Sequence, residues 1–176
     1  PSSGRFIWWI RGIPQRQEYP CPRKIDPFPI PEIAMRTVRQ LLGSKTPEIF
    51  AVSPDASVLD AIKLMAEKGV GAVLAMQGAR LCGIVSERDY ARKVVLQGRS
   101  SSNTPVRDIM TAKVVTVRPD DSVDHCMQVV TEHRIRHLPV AEGDAIVGVI
   151  SIGDLVKAVI EDQKVELDQL QRYIAS

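Results

Sequence analysis

The chain repeats itself at an offset of 65 residues, and no other feature of the sequence limits its possible folds as much. Sliding it by that amount superimposes, without a gap, Thr46 on Thr111, Val52 on Val117, Pro54 on Pro119, Asp55 on Asp120, Ser57 on Ser122 and Val58 on Val123. Farther along, Glu67 meets Glu132, Gly78 meets Gly143, Gly83 meets Gly148, Ser86 meets Ser151 and Asp89 meets Asp154. The matches fall at turns and helix starts as well as at apolar positions, so shared composition does not explain them. A repeat of this kind is one supersecondary unit that buries its apolar face against its neighbour.

Each copy has the same local grammar. A short β-rich run, Ile49 to Ser53 or Val114 to Arg118, is closed by Pro-Asp. Ser57 or Ser122 follows, a residue whose hydroxyl accepts from the free N–H groups of a first helical turn. Val58, Ala61, Ile62 and Met65, and then Val123, Cys126, Met127 and Val130, recur at helical spacing, which gives each helix one buried face. Gly69 ends the first of these helices, and two apolar strands follow around a glycine turn: Ala72 to Met76 with Leu81 to Val85, and His137 to Val140 with Ile146 to Ile150. A second helix begins at Ser86 or Ser151. The expected fold class is α+β: two tandem βαββα units packed sheet to sheet as a pseudo-two-fold pair, with a long helix at the C-terminus.

The boundaries follow from composition. Residues 1–34 carry seven of the twelve prolines and both tryptophans, Trp8 and Trp9, a density that blocks helix and ladder alike, and they are expected to form a poorly ordered extension. The alternative is an arm that docks its aromatic pair. Residues 35–97 form repeat 1, with a helical segment from Met35 to Leu42 and Met35 itself a candidate natural start of translation. The polar stretch GRSSSNT heads a flexible linker, 98–105; repeat 2 covers 106–160 and a helical extension 161–176.

Charge and cysteine usage exclude several classes. Residues 1–34 hold five of the 23 basic and three of the 21 acidic residues, so the remainder balances at 18 of each. A neutral body offers no bulk field for a phosphate backbone, and nucleic acid is not an expected partner. Cys21, Cys82 and Cys126 stand far apart without a C-x-x-C pair and read as small buried hydrophobes in a reducing, cytoplasmic compartment. The apolar run Phe6 to Ile10 is too short for a membrane span.

The segments GIVSERD (Gly83 to Asp89) and GVISIGD (Gly148 to Asp154), with the strand IRHLPV (Ile135 to Val140), resemble the G-h-x-[ST]-x-x-D signature of CBS domains, which occur in tandem pairs. The likeness covers roughly residues 45 to 160 and extends to short stand-alone CBS-pair proteins of bacteria and plant organelles. It implies a regulatory module that binds adenine nucleotides such as AMP, ADP, ATP or NAD in the cleft between the copies. In such a module the motif Asp accepts from ribose hydroxyls and the motif Ser contacts ribose or phosphate, roles that a carboxylate and a hydroxyl can fill. The same S-x-x-D pattern is also a helix capping box, and the two roles are compatible.

By that resemblance one site would contain Thr46, Phe50, Ala72, Ser86, Arg88 and Asp89, and the other Thr111, Val115, Arg136, His137, Leu138, Ser151 and Asp154. Arg136 and His137 stand where Gly71 and Ala72 stand in copy 1. The two sites are therefore expected to be unequal, with the Asp154, Arg136 and His137 site preferring a phosphorylated adenosine. An enzyme is the rival class. However, no P-loop is present, Leu74 stands where a G-x-G-x-x-G starting at Gly69 needs its third glycine, and His125, His133 and His137 lack metal-ligand spacing. Neither a catalytic residue nor a metal is expected. Val156, Ile160, Leu167, Leu170 and Ile174 form an apolar stripe, interrupted at Gln163, that suits a homodimer contact. The regulated partner has no signature in the sequence. A dimeric scaffold with degenerate nucleotide sites is the other open reading.

Overall fold

The computed structural model describes residues 36–44 and 48–175. Trp8, Trp9, Cys21, Met35 and Thr46 lie outside them.

Two copies of one α+β unit make up this part of the chain. Helix α2, Val58–Lys68, starts where the Ser57 hydroxyl accepts from the Asp60 N–H and buries Val58, Ala61 and Met65. Its counterpart α4, Val123–His133, starts on Ser122 and buries Val123, Cys126 and Val130. Each helix leads into an antiparallel hairpin, β2 (Ala72–Gln77) with β3 (Arg80–Ser86), and β4 (His137–Glu142) with β5 (Ala145–Ser151). The registers are equivalent, Ala72 opposite Ser86 and His137 opposite Ser151, and both hairpins turn at a glycine with positive φ, Gly78 and Gly143. Helix α3, Glu87–Tyr90, runs on into a π-helical turn at Ala91–Val95. Its counterpart α5, Ile152–Ile174, is a continuous helix of 23 residues.

The leading strands are shorter than their sequence runs. In copy 1 only β1, Ala51–Val52, pairs with β2, in parallel; in copy 2 a single bridge, Val117 to Val140, remains. The Arg118 N–H donates instead to the Asp121 carboxylate at 2.7 Å, which starts the turn into α4 before a ladder can extend.

The segments ahead of each copy are exchanged. Helix α1, Val38–Gly43, precedes copy 1, yet Val38 and Leu41 are buried with Val117, Val123, Cys126, Leu138 and Ile150 in the core of copy 2. The turn at Val106–Asp108 precedes copy 2, yet Val106 and Ile109 are buried with Val58, Met65, Val73 and Val85 of copy 1. The backbone repeats the exchange bond for bond. The Val58 N–H donates to the Thr104 carbonyl and the Val123 N–H to the Arg36 carbonyl, both at 2.9 Å; the Val106 N–H reaches Ala56 and the Val38 N–H reaches Asp121, again at 2.9 Å. Neither core closes without the other copy's lead segment, so the pair is the folding unit.

The motif glycines make room for this exchange. A Cβ on Gly83 would lie 2.7 Å from Met110 Sδ and 3.0 Å from the Thr111 carbonyl oxygen, and one on Gly148 would lie 2.8 Å from Leu42 Cδ2. The polar 98–104 stretch is likewise not a free spacer. The Leu59 N–H donates to the Ser101 carbonyl at 2.9 Å, and Thr104 is buried, so the segment is tied over the start of α2. Backbone carbonyls, rather than apolar side chains, hold it, which is why composition alone reads as a linker.

Beyond Val159, α5 leaves the core. Arg36 holds it with ion pairs to Glu161 at 2.8 Å and Asp162 at 3.0 Å. Its Ile160, Leu167 and Leu170 are each more than half exposed. Among the described residues no helix is long and apolar enough to cross a membrane.

Candidate functional site

Both S-x-x-D motifs sit at a strand-to-helix junction, β3 to α3 and β5 to α5. Each is a complete capping box. The Asp89 N–H donates to Ser86 Oγ, while Asp89 Oδ2 accepts from the Ser86 N–H at 3.1 Å and from its hydroxyl at 2.6 Å. Asp154 Oδ2 accepts from the Ser151 N–H at 2.7 Å and its hydroxyl at 2.8 Å. The boxes fix both carboxylates rather than burying them, and each lines a cleft. The next residue ties each junction to the strand start beside it: the Glu87 N–H donates to the Gly71 carbonyl at 3.1 Å and the Ile152 N–H to the Arg136 carbonyl at 2.9 Å.

The two clefts are not assembled copy by copy. The first, about 240 Å³, joins Ser86, Arg88 and Asp89 of copy 1 to Thr111, Lys113, Val115, Arg134, Arg136 and His137. The second, about 380 Å³, joins Ser151 and Asp154 of copy 2 to Glu48, Phe50, Gly71, Ala72 and His137. The grouping expected from the sequence is therefore corrected. Phe50 and Ala72 face Asp154 rather than Asp89, whereas Thr111, Val115 and Arg136 face Asp89 rather than Asp154. Thr111 reaches that wall because its N–H and carbonyl pair with Ile84 of β3, at 2.8 and 3.1 Å. His137 stands in the wall common to both clefts. Leu138 is fully buried in the copy 2 core and lines neither. Thr46 lies outside the described residues.

This regrouping moves the positive charge. Of Asp154, Arg136 and His137, expected together, Asp154 and His137 share the second cleft, whereas Arg136 lines the Asp89 cleft. There Arg88, Lys113, Arg134 and Arg136 outnumber Glu87 and Asp89, four to two. Among the described residues the Asp154 cleft has Glu48 and Asp154 and neither Lys nor Arg in its lining. Lys68 Nζ lies over the Phe50 ring, 5.9 Å from its centre. At the repeat offset Gly69 becomes Arg134 and Gly71 becomes Arg136, so one cleft carries guanidinium groups where its counterpart has only backbone.

Arg134 is the strained member of this set. It caps α4 at φ 52, the left-handed conformation that Gly69 adopts without cost in copy 1, and among the described residues it is the one non-glycine with positive φ. Such strain is of order 1–3 kcal/mol and gathers at functional positions. Its carbonyl accepts from Arg88 Nη1 at 3.0 Å, which closes one rim of the cleft across the two copies. Neither Arg134 nor Lys113 belongs to the motif positions that the sequence pattern marks. The signal was available in the loss of a C-cap glycine at the repeat offset. Burial lowers the pKa of His137 below its ordinary value, with Arg136 lowering it further and Glu87 and Asp154 opposing. A neutral imidazole therefore divides the clefts at neutral pH.

Comparison with known proteins agrees with this architecture. Over 125 residues the chain is 45% identical to a mitochondrial CBS domain-containing protein of Arabidopsis thaliana, an alignment that takes in 68% of this chain and 61% of the plant protein's length. That relative is mitochondrial, whereas the cysteine pattern here led to a cytoplasmic expectation. A solved CBS-domain protein of Burkholderia ambifaria is 58% identical with a TM-score of 0.71, over 73% of this chain and 96% of that one. A CBS domain protein of Pyrobaculum aerophilum, solved in complex with AMP, is 28% identical with a TM-score of 0.61, over 68% and 89% respectively. The family model for the CBS domain matches twice, at residues 38–96 and 106–161. With two tandem copies, each carrying its own serine-aspartate junction, the chain belongs to the CBS domain family.

Proposed function

We propose that this chain is a non-catalytic regulatory module that binds an adenine nucleotide in the Asp89 cleft and signals occupancy to a partner through the arrangement of the two copies. The charge opposition of the clefts carries this reading. A ribose on Asp89 would direct its phosphates toward Arg88, Arg134 and Arg136, where charge-assisted hydrogen bonds are strong. The Asp154 cleft, with two carboxylates and an apolar wall of Phe50, Val70 and Ala72, suits an uncharged or cationic adenosine better than a phosphate. At 240 and 380 Å³ the clefts stand near the lower end of the size usual for small-molecule sites, about 300–1,000 Å³. That suits a nucleoside with its phosphates at the mouth. The AMP complex of the Pyrobaculum relative supports the adenosine class. Signalling follows by linkage: a ligand touching both copies favours the arrangement that completes its cleft, and a partner reads that arrangement.

Thermal unfolding with adenosine, AMP, ADP, ATP and NAD tests the proposal, on wild type, Asp89→Ala and Asp154→Ala. A ligand at a hundred times its Kd adds about 2.7 kcal/mol, about 5–10 °C for a chain of this size. The expected result is a shift that grows with phosphate number and vanishes in Asp89→Ala. A phosphate-dependent shift that survives Asp89→Ala and vanishes in Asp154→Ala refutes the assignment of clefts, and no shift with any of the five refutes the nucleotide reading.

A second reading concerns α5. Val156, Ile160, Gln163, Leu167, Leu170 and Ile174 alternate at spacings of four and three, the period of a two-stranded coiled coil, and their exposure leaves that seam open. We propose that it joins two copies of the chain in a homodimer. Leu167→Glu with Leu170→Glu is expected to yield a folded monomer by light scattering, and a dimer unchanged by both charges counts against the seam.

A further inference from the structure

The Asp89 carboxylate has a partner beyond its capping box. Asp89 Oδ1 is held by Lys93 Nζ at 2.9 Å, one helical turn farther along the segment that becomes π-helical. Lys93 is pinned from its other side, since the same ammonium donates to the Ile109 carbonyl in the lead segment of copy 2. At the repeat offset its place is taken by Ala158, which is buried in the copy 2 core.

An ionised carboxylate has about four acceptor positions, two on each oxygen. On Asp89 both positions of Oδ2 are used by Ser86, through its N–H and its hydroxyl, and one position of Oδ1 is used by Lys93. One position is left. Lys93 is not among the side chains lining the cavity, and its bond to the Ile109 carbonyl holds it in place as a ligand enters the cleft. Two adjacent ribose hydroxyls arriving at Asp89 therefore compete for a single acceptor.

We propose that Lys93 limits Asp89 to one ribose hydroxyl, which makes this cleft a site for adenine nucleotides that need only one of the two free, including those deoxygenated or substituted at the other. The inference rests on the nucleotide reading above and goes further by naming what the site tolerates at the sugar. Lys93 is a specificity-determining residue here, acting through Asp89 rather than on the ligand.

Calorimetric titration with ATP, 2′-deoxyATP and 3′-deoxyATP tests it, on wild type, Lys93→Met and Asp89→Ala. For wild type, one deoxy analogue should bind within about threefold of ATP and the other should be weaker by about tenfold or more, the loss expected for a hydrogen bond to a charged acceptor. In Lys93→Met the freed position takes the second hydroxyl, so ATP tightens and both analogues fall about tenfold or more behind it. Equal weakening of both analogues in wild type, with ATP binding abolished by Asp89→Ala, overturns the inference while the nucleotide reading stands. Absence of Asp89-dependent ATP binding overturns both. If Lys93→Met fails to fold by circular dichroism, the two analogues on wild type decide the question alone.

Discussion

Gly83→Ala and Gly148→Ala are the same change at the same place in the two copies, and the structure gives them different costs. At Gly148 the new methyl meets only the end of a leucine, Leu42 Cδ2 at 2.8 Å and Cδ1 at 3.3 Å, and a side-chain rotation relieves most of it. At Gly83 the methyl meets Met110 Sδ at 2.7 Å and Cγ at 2.9 Å, but also the Thr111 carbonyl oxygen at 3.0 Å. A thioether can turn away; a carbonyl bonded to the Ile84 N–H at 3.1 Å moves only by loosening that bridge. Overpacking of this kind costs about 1–3 kcal/mol. For a chain of this length about 2–4 °C of Tm accompanies each kcal/mol. Gly83→Ala should therefore lower Tm by about 3–10 °C and Gly148→Ala by less than half as much, measured by scanning calorimetry. The bridge also holds Thr111 in the wall of the Asp89 cleft, so Gly83→Ala should weaken ATP binding at temperatures where it remains folded. Equal losses in Tm for the two variants would refute the argument that backbone, not side chain, sets the cost.

Arg134→Gly exchanges a strained cap for the residue copy 1 uses. The relief of about 1 kcal/mol is partly offset by the freer unfolded chain, so Tm should stay within about 3 °C of wild type while ATP affinity falls several-fold and adenosine affinity does not. A larger Tm loss would show that the arginine serves the fold rather than the ligand. The lowered pKa of His137 has a definite sign in stability. Below the ordinary value of 6.5 the unfolded imidazole takes a proton that the buried one refuses, so its contribution is whole above that pH and is lost as pH falls through the folded value. Chemical denaturation at pH 7.5 and 5.5 should show this, and His137→Gln should flatten the difference. Burial pushes the Cys126 thiol up to about 11, so iodoacetamide at pH 8 should leave its peptide unlabelled until the chain unfolds, as read by peptide mass mapping.

The repeat carried most of the fold because local rules act within each copy. A serine that caps, apolar residues at helical spacing and glycines at hairpin turns are all decided by near neighbours, and the 65-residue offset reports them twice. The exchange of lead segments was hidden for a physical reason. Those segments obey a different offset: Thr37 bridges Ser122 and Pro105 bridges Ser57, a separation of 68 residues between the equivalent leads. A gapless slide by 65 follows the helices and hairpins, and it cannot tell that Val106 covers Val58 or that Val38 covers Val123.

The crossing of segments between the copies also explains why the site residues fall into other groups than a linear reading gives them. A linear reading assigns each side chain to the copy that encodes it, and the serine-aspartate junctions do remain with their own copies. The segments at the strand starts do not stay with their own junctions: Arg134 and Arg136 ahead of β4 line the Asp89 cleft, Val70 and Ala72 line the Asp154 cleft, and Gly71 and His137 line both. Once the pair is crossed in this way, a substitution in one copy changes the lining beside the other copy's carboxylate. The glycines at 69 and 71 and the arginines at 134 and 136 are then a single contrast, between a cleft left bare beside Asp154 and one made cationic beside Asp89. Differences at only a few positions suffice to set the two clefts apart, because each draws part of its wall from the other copy.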